Sequence, residues 1–538
     1  MGFADSHHPG GRSDRVPWNA LQETQVIGAT RFASTFSLAA AGTARFEGIN
    51  LAAAVTFALY IMVIMGVGLA VRRFASKGIN EFFLGGKRFG TFVVATSAVV
   101  SGRSAWLLLG LTGLAYRIGA SAVWAVVGYI LVELCLFATA GCRLRRLTGE
   151  QGDLTIPDFL ASRSGGSGAV RSVAALVILF FMIVYVAAQV RAGGEALAGS
   201  FLPETGASLS LGSFAVHLDA ISLGALITAA IILVYTVTGG YTAVAINDAI
   251  QAVVILCSLV VLPVIAVIQY PGSVMETLNA LNPDMLDPFA LSAGAAIGFL
   301  GIGLGSPGNP HILVRYMCAR DERRLAKAAF WGTFWNVVMA WGAIWIGLAG
   351  RAWFSTIAEL PGGSVEAVYP ALARSRLPSV FFGLVIASIF AAILSTADSQ
   401  LLVGASAVVR DLWQRLLGKD KKIDNARLVK FSRWTVLVLL ISATLLGVLV
   451  HELIFSLVLF AWGGLGAGLG PPILLTLYFR RTTAAGMLAG MITGTVVTVA
   501  WKLIPACNQI VLELVPGFAA SFVATLAISL ITFKEPAD

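Results

Sequence analysis

An arginine, Arg103, stands inside an apolar run that begins near Thr91 and continues to about Ala115. At the centre of a lipid bilayer an arginine costs between about 2.5 and 17 kcal/mol, depending on the method of measurement. A charge with such a cost is expected to be paired, hydrated or bound to a ligand. Arg103 is therefore the first residue for which a chemical role must be found.

Three roles are compatible with the residue type. The guanidinium of Arg103 could act as a built-in cation that donates to Ser395, Thr396 or Asp398. Its planar fork could instead bind the carboxylate of an organic acid or amino acid. The third alternative is a structural ion pair with Asp398 or Asp248 that fixes the register of two helices. The sequence alone leaves these three open.

A second polar group lies in the stretch "AAILSTADSQLL". Ala392, Ser395, Thr396 and Ser399 recur with the spacing of one helix face, and Asp398 lies beside them. Hydroxyl, carbonyl and carboxylate oxygens are the ligands that a small hard cation prefers. The alternative is that the hydroxyls bond to carbonyls of their own helix. The carboxylate within an apolar span favours the cation site.

Asp248, in "GGYTAVAINDAIQAV", is a further candidate for the same chemistry. It lies near the predicted start of an apolar span, where a carboxylate can stabilise the amino terminus of a helix. Both interpretations of Asp248 fit the sequence equally.

The stretch "GIGLGSPGNPHIL" interrupts another apolar span, because Gly305, Pro307, Gly308 and Pro310 cannot sustain a regular helix. Backbone groups freed within a membrane must line a cavity or bind something. This span lies five spans after the one with Arg103, as expected for two inverted repeats that each open with a broken helix. No nucleophile elbow, Walker A sequence or histidine cluster occurs, so the sequence does not predict an enzyme.

The elements that position these residues are apolar helices. Of the 538 residues, 57% are hydrophobic and 12% are charged, which predicts an all-α polytopic membrane protein embedded in a lipid bilayer. The net charge of +9 comes from basic residues in short loops, so nucleic acid is not an expected partner. No signal in the sequence indicates an oligomeric state.

Thirteen spans are predicted: 51–71, 90–115, 121–142, 171–195, 220–238, 246–269, 290–309, 328–350, 379–408, 434–451, 454–478, 484–503 and 511–532.

Basic residues follow the first, third, seventh and ninth spans, and this pattern places those loops in the cytoplasm. The amino terminus is then outside the cell and the carboxyl terminus inside. Arg315 is assigned to the cytoplasmic loop after the seventh span, and the stretch from Arg410 to Arg433 to the loop after the ninth. The predicted organisation is an extracytoplasmic tail 1–50, a transporter domain 51–533 (first helix 51–71, repeats about 90–269 and 290–478, final helices 484–532), and a cytoplasmic tail 534–538.

The sequence resembles the sodium/solute symporter family, and within it the sodium/proline symporter branch, over about residues 50–533. The stretches that carry the resemblance are "SAWLLLGLTGLAY", "GGYTAVAINDAIQAV", "GLGSPGNPHILVRYM", "ILSTADSQLLVGAS" and "FAWGGLGAGLGPP". The resemblance implies thirteen transmembrane helices with a leucine-transporter-type 5+5 inverted repeat.

The resemblance also implies where ligands bind. A sodium site would use carbonyls near Val100 and Arg103 with Ala392, Ser395 and Thr396, and a second ion site would use Asp248, Ser395, Asp398 and Ser399. The substrate pocket would be lined by Arg103, Ser104, Trp106, Tyr185, Ile302, Gly305 and Ser306. Proline-type members carry Asp then Met where this chain has Gly102 and Arg103, and aromatic residues at Ile302 and Ser306, so a solute other than proline is expected.

The expected function is ion-coupled symport of a small organic solute, such as an amino acid or a carboxylate, in the cell membrane. Sodium is the expected driving ion, as a transported ion and not a resident cofactor. Two alternatives stay open: a solute sensor of transporter fold that signals through a partner protein, and a sodium-independent or proton-coupled transporter in which Arg103 replaces sodium.

Overall fold

The computed structural model describes residues 50–75, 78–87, 89–203, 205–211, 214–418, 424–450 and 452–534. The predicted tail 1–50, apart from Asn50, and residues 535–538 of the predicted cytoplasmic tail lie outside the described residues. The described part of the chain is almost entirely helical, as expected for a polytopic protein whose backbone polar groups must be satisfied within each segment.

The described residues of the first half of the chain form nine α-helices and one hairpin. The helices are α1 (Leu51–Ala75), α2 (Ile79–Leu84), α3 (Thr91–Ser101), α4 (Thr112–Ile118), α5 (Trp124–Cys135), α6 (Gly141–Gln151), α7 (Ile156–Arg163), α8 (Gly168–Ala198) and α9 (Ala220–Ile268). Strands β1 (Ala207–Leu211) and β2 (Phe214–Leu218) pair antiparallel in the connection between α8 and α9. The sequence does not predict this hairpin, because a two-stranded ribbon has only a weak apolar pattern.

In the second half, the part of the chain that the structure describes forms eleven further α-helices. They are α10 (Val274–Leu281), α11 (Ala293–Gly301), α12 (Pro310–Cys318), α13 (Glu322–Trp353), α14 (Val368–Arg376), α15 (Ser379–Ser406), α16 (Asn425–Leu449), α17 (Ile454–Tyr478), α18 (Ala484–Leu503), α19 (Pro505–Asn508) and α20 (Leu514–Thr532). Wider helical turns extend the regular helices at Trp106–Leu111, Leu136–Ala140 and Ala407–Leu417, and tight turns form Gly85–Lys87, Gly119–Val123, Pro283–Leu286, Ile302–Gly308, Ile357–Glu359, Pro361–Gly363 and Val365–Ala367.

Within the described residues, eleven helical segments are long and apolar enough to cross a membrane. This number is smaller than the predicted thirteen because the two interrupted spans are not long continuous helices. The first interrupted span contains the short apolar helix Thr91–Ser101, and the second contains the short apolar segment Ala293–Gly308. The chain is therefore a multi-pass membrane protein in which two segments depart from continuous helix.

Several boundaries differ from the prediction for physical reasons. The ninth span continues through Ala407–Leu417, so Arg410 belongs to a helix and not to a loop, and α16 begins at Asn425, well before the predicted start at 434. Both differences arise because charged residues at the ends of these helices resemble loop residues in the sequence. Helix α9 is broken at Gly240, whose φ of 55° separates two spans joined without a loop.

Two helices form the centre of the bundle. Within the most apolar 18 residues of each span, 83% of the residues are buried in Ser379–Leu417 and 89% in α17. The corresponding shares are 17% in α1 and 28% in α20. The central helix α17 carries "GGLGAGLG", and such small residues let helix backbones approach closely inside a membrane. Helices α15 and α17 thus pack between the two interrupted segments and the peripheral, lipid-facing helices.

Candidate functional site

The first cluster of oxygen atoms lies where α3 ends against the middle of α15. Helix α3 stops at Ser101, so the last carbonyls of the helix lack the amides that a continuing helix would supply. Ser395 Oγ lies 3.4 Å from the Val100 carbonyl oxygen and 3.1 Å from that of Ala392. Thr396 Oγ1 donates to the Ser101 carbonyl at 3.0 Å. The structure therefore brings Val100, Ala392, Ser395 and Thr396 together.

The oxygen atoms of this cluster are of the kind that could hold a hard cation. Its groups are neutral carbonyl and hydroxyl oxygens, and all of the contributing residues are buried. The Ser101 hydroxyl also donates to the Ser395 carbonyl at 2.7 Å, which ties the two segments together at this level. The alternative that the hydroxyls of α15 bond only to their own helix is wrong for Thr396, which reaches across to α3.

The second cluster contains Asp248 and an arginine that the sequence assigned to a loop. Arg315, in α12, is 1% exposed, and its Nη2 lies 3.1 Å from Asp248 Oδ2. The same nitrogen donates to the hydroxyls of Ser101 and Ser399. The assignment of Arg315 to a cytoplasmic loop is therefore wrong: helix α12 follows the interruption and returns the chain to the interior.

Asp248 itself lies inside helix α9, two turns beyond the break at Gly240. Its carboxylate accepts from the Ser97 hydroxyl and from Arg315, so the alternative that it stabilises the amino terminus of a helix is wrong. Asp398 lies on α15 with Oδ1 accepting from Ser399 Oγ at 3.0 Å. Asp248, Asp398 and Ser399 are brought together as the resemblance implied, but with the Arg315 guanidinium among them.

Arg103 has a different partner from those predicted. Its Nη2 lies 3.4 Å from Glu133 Oε2 of α5, and its guanidinium carbon lies 3.6 Å from the centroid of the Tyr129 ring. Asn336 of α13 donates to the same Glu133 oxygen. A pair with Asp398 or Asp248, and donation to Ser395 or Thr396, are therefore both contradicted by the structure. Glu133 was missed because the sequence does not indicate which face of α5 meets Arg103.

The second interrupted segment, Ile302–Gly308, packs against α5 and α17. A Cβ on Gly303 would lie 2.2 Å from the Gly128 carbonyl oxygen, and one on Gly128 would lie 2.0 Å from that of Leu300, so the two backbones touch directly. The Trp462 indole donates to the Ile302 carbonyl at 2.8 Å, and Asn309 Nδ2 donates to the Gly305 carbonyl at 2.8 Å. These bonds satisfy backbone groups that the broken helix leaves unpaired.

Aromatic rings join the two interrupted segments. Trp106 lies 6.5 Å from Tyr129, which in turn lies 5.3 Å from Trp462, between ring centroids. His311 lies between Trp462 and Tyr185, at 6.5 and 5.8 Å. Of the predicted pocket residues, the structure thus places Trp106 and Tyr185 on one aromatic wall. Tyr129, Trp462 and His311 were missed, although the periodic small residues around Trp462 indicated a central helix.

The region between the interrupted segments is rich in buried hydrogen-bond donors without a partner. Among the described residues, these donors include Arg103 Nε and Nη1, Trp106 Nε1 and Gln189 Nε2. The hydroxyl of Ser306 and both ring nitrogens of His311 are also unpartnered. Ser104 accepts from the Trp106 amide at 3.3 Å, and Gln189 Oε1 accepts from the Ala105 amide at 3.1 Å. A site with this composition favours a ligand that supplies acceptors.

A lid covers one end of the bundle. We define the lid as residues 357–376, which include α14. The buried carboxylate of Glu366 accepts from the amides of Ile454 and Phe455, at 3.0 and 2.8 Å, at the amino terminus of α17. Burial, with Glu195 nearby, raises the pKa of Glu366 to about 8. A cavity lies under the lid, lined in part by Glu366 and Phe455. The Phe455 ring stacks on Trp106, with 6.2 Å between the ring centroids.

An ionic network closes the opposite end of the bundle. Asp158 of α7 accepts from Arg171 of α8, and from Arg410 at 3.0 Å. Asp411 accepts from Thr155 at 2.8 Å and from Arg171 at 3.1 Å. Burial alone would raise the pKa of Asp158, but the two arginines outweigh it and hold this pKa below its usual value. The network joins α7 and α8 to the extension of α15.

Comparisons with known proteins agree with this architecture. The sequence profile described as "Sodium:solute symporter family" matches residues 82–494. The osmoregulated proline transporter OpuE of Bacillus subtilis (strain 168) is 32% identical over 493 residues, covering 90% of this chain and 95% of that protein. A sodium/proline symporter of Staphylococcus aureus is 31% identical over 494 residues, covering 90% of this chain and 93% of that protein.

A solved structure shares the fold. It is a substrate-bound, outward-open state of a Na⁺-coupled sialic acid symporter, with a TM-score of 0.74 and 18% identity, covering 90% of this chain and 99% of that chain. These relatives are transporters and not enzymes, in agreement with the sequence prediction. The chain belongs to the sodium:solute symporter family.

Proposed function

We propose that the protein carries out sodium-coupled symport of a small organic solute, such as an amino acid or a carboxylate, by alternating access. The observation that carries this proposal is the meeting of two interrupted helices at one buried level, where Arg103, Ser306 and Trp106 all have unpartnered polar atoms. Backbone and side-chain groups left open in this way inside a membrane protein are suited to bind a transported ligand. Membership in the sodium:solute symporter family supports the coupling ion.

Sodium is assigned to the oxygen cluster of Val100, Ala392, Ser395 and Thr396. Val100, which supplies one carbonyl of the cluster, lies three residues before Arg103 in the chain. The Arg103 amide donates to this carbonyl at 2.9 Å. The guanidinium points away to Glu133, so this cluster is not filled by a built-in cation. A second cation at Asp248, Ser395, Asp398 and Ser399 would require Arg315 to withdraw, so the first cluster is the stronger assignment.

The substrate is assigned to the space between the interrupted segments, with Arg103, Ser104, Trp106, Tyr185, Ile302, Gly305 and Ser306 as its lining. We assign thirteen membrane crossings, counting each interrupted segment as one, and two inverted five-helix repeats. The charge distribution of the loops supports an external amino terminus and a cytoplasmic carboxyl terminus. With that orientation the lid faces outside, and the Asp158 network faces the cytoplasm.

The test is uptake into proteoliposomes under an imposed sodium gradient, with a protonophore as a control for proton coupling. Labelled amino acids and carboxylates are screened, and the expected result is accumulation that collapses when the sodium gradient is removed. Binding of a solute without counterflow of the labelled compound would contradict transport and favour a sensor. Accumulation that follows the proton gradient and ignores sodium would contradict the coupling ion.

A further inference from the structure

We propose that the solute carries a carboxylate that binds Arg103 in place of Glu133. In the absence of solute, the Glu133 carboxylate occupies the position beside Arg103 that the solute carboxylate takes when it binds, and we call this the placeholder role of Glu133. This inference rests on the proposed function and names the chemical class of its substrate. It also gives Glu133 a positioning role that neither the sequence nor the comparisons assign.

The first step concerns the unused capacity of Arg103. The side chain is fully buried, and among the described residues its hydrogen-bonding partner is Glu133 Oε2, at 3.4 Å from Nη2. That distance is long for a charge-assisted hydrogen bond, whose usual range is about 2.7–2.9 Å. Nε and Nη1 have no partner in the part of the chain that the structure describes. A buried guanidinium with two unpaired nitrogens and one loose contact is poised to accept a better carboxylate.

The second step concerns the direction in which the guanidinium can bind. One face of its plane is covered by the Tyr129 ring at 3.6 Å, so its open hydrogen-bonding positions lie along its edge. Next to it along the chain, Trp106 Nε1 is a further unpartnered donor, and Ser306 Oγ lies on the facing interrupted segment. The fixed plane and edge geometry match a bidentate contact to a planar carboxylate.

The third step concerns Glu133, which has its own second partner. Asn336 donates to Glu133 Oε2 from α13, so the carboxylate is held in place when Arg103 turns to the solute. Without Glu133, an arginine in an empty site would be an unpaired buried charge. With Glu133, the empty and loaded sites both keep Arg103 beside an anion. Among the described residues, the unpartnered acceptors Glu133 Oε1 and Asn336 Oδ1 lie at this pair and Asn309 Oδ1 follows the second interrupted segment, so an ammonium group of a solute that bound at Glu133 would compete with Arg103.

The fourth step concerns charge balance with sodium. The oxygen cluster assigned to sodium is neutral, and it includes the Val100 carbonyl, three residues before Arg103 in the chain. One sodium ion and one monocarboxylate add no net charge to the buried region. Each ligand lowers the electrostatic cost of binding the other, because unpaired charge in a low-dielectric interior is expensive. A neutral solute would lack this coupling.

The experiment uses matched series on one carbon skeleton: a carboxylic acid, its primary amide and its α-amino acid. The series are propionate, propionamide and alanine; cyclopentanecarboxylate, its amide and proline; and 3-phenylpropionate, its amide and phenylalanine. Binding to the purified full-length protein is measured by thermal shift in detergent with and without sodium, and uptake is measured separately in proteoliposomes. In the series that binds best, the acid is expected to bind at least about tenfold more tightly than its amide, through the charge-assisted contact.

The variants are Glu133→Gln and the double variant Arg103→Gln/Glu133→Gln. Glu133→Gln removes the competing carboxylate, so the affinity for the acid is expected to rise severalfold. The double variant removes both charges, leaves no unpaired ion, and is expected to lose the preference of acid over amide while keeping the sodium-induced thermal shift. Asp153→Asn, a buried carboxylate at the cytoplasmic end that accepts from Ser162, is the matched control and should leave the preference unchanged.

Equal binding of acid and amide, or an acid preference that persists in the double variant, would overturn the assignment of Arg103. Weaker acid binding in Glu133→Gln, with the fold intact by thermal shift, would overturn the placeholder role. The proposed function fails by a different result, namely binding without sodium-driven uptake. A sodium-driven uptake of neutral solutes alone would leave the proposed function standing and refute the carboxylate inference.

Discussion

Among the described residues, Arg103 and Arg315 are the two arginines that are at most 1% exposed, and each is held differently. Arg315 donates to the Asp248 carboxylate, to the hydroxyls of Ser97, Ser101 and Ser399, and to the carbonyls of Ser97 and His311. Arg103 contacts one carboxylate loosely and lies on an aromatic ring. A saturated guanidinium is suited to fixing structure, whereas an unsaturated one is suited to exchanging partners. This contrast is why we assign the solute to Arg103 and not to Arg315.

We predict that Thr396→Ala weakens sodium binding about tenfold, because it removes one of the few oxygens of the assigned cluster. The measurement is the sodium concentration that gives half-maximal uptake. Ser406→Ala is the matched control, since Ser406 lies on the same helix but donates to the Val403 carbonyl of that helix. Equal changes in the two variants would show that Thr396 acts only through the packing of α15.

A second prediction concerns the pair of Arg315 and Asp248. Arg315→Gln and Asp248→Asn each leave an unpaired buried charge, so each is expected to destabilise the protein by about 3–5 kcal/mol. The double variant is expected to be less destabilised than the sum. The measurement is a double-mutant cycle of thermal stability in detergent. The exposed pair Arg146 and Glu322 provides the comparison, where a much weaker coupling is expected because solvent screens the two charges. Additive effects at Arg315 and Asp248 would contradict a direct pair.

At the scale of residues, the sequence predicts which side chains share one face of a helix. It does not predict which side chains of different helices contact each other. Ser395 and Thr396 were found because helical spacing places them on one face. The partners of Arg103 and Asp248 were not found, because α5 and α12 approach them only through the packing of the bundle. Arg315 was misplaced since an arginine shortly after a Pro-containing interruption looks like the start of a loop.

At the scale of elements, the interruptions are the features that the sequence predicts best. Gly305 and Pro307 disfavour regular helix and Pro310 favours the start of a new one, and the structure has a tight turn over Ile302–Gly308 followed by a helix that begins at Pro310. The hairpin β1–β2 and the extension of α15 to Leu417 were not predicted, because their patterns are short or carry charges. The lid likewise consists of short turns and the short helix α14, with little periodicity, so only the structure reveals its contact with α17.

We predict that raising the pH opens the lid. Glu366 faces Glu195, Arg191 and the first amides of α17, and its pKa in the closed lid is about 8. When the lid opens and Glu366 becomes hydrated, its pKa falls toward the ordinary value of 4.5. Between these two values the closed form retains a proton that the open form has released. Raising the pH through this window therefore favours the open form.

The measurement is the labelling rate of Leu453→Cys by a membrane-impermeant maleimide, with the five native cysteines replaced. Leu453 lines the cavity under the lid. The labelling rate, corrected for thiol ionisation with a free thiol standard, is expected to rise from pH 5 to pH 9 and to be flat in Glu366→Gln. A pH dependence that persists in Glu366→Gln would assign the effect to another group.

At the scale of the whole molecule, barriers stand on both sides of Arg103. On the lid side, Phe455 stacks on Trp106, and Glu366 caps α17. On the other side, the Asp158 network joins three helical segments. Alternating access requires these barriers to open in turn, and the two are built from different interactions. The predicted fold class and family describe this architecture, whereas the barriers depend on contacts far apart in sequence.

We predict that Asp158→Asn weakens the barrier on the Asp158 side, because it removes the charge shared by Arg171 and Arg410. Amide hydrogen exchange over residues 153–171 is expected to accelerate at least severalfold, while exchange in the lid stays unchanged. Glu513→Gln, a buried carboxylate at the lid end, is the control that should leave residues 153–171 unaffected. Unchanged exchange in Asp158→Asn would show that the network does not close this end.

The contact of Gly128 with the segment Ile302–Gly308 restricts how the protein can evolve. Main chain rests on main chain there, so any added carbon atom collides with a carbonyl oxygen. Evolved variants that transport a new solute are thus expected to change the side chains that project from this fixed backbone, chiefly those of Ile302 and Ser306. Spontaneous mutants selected for growth on unfamiliar nutrients should accumulate replacements at those two positions and leave Gly128 and Gly303 untouched.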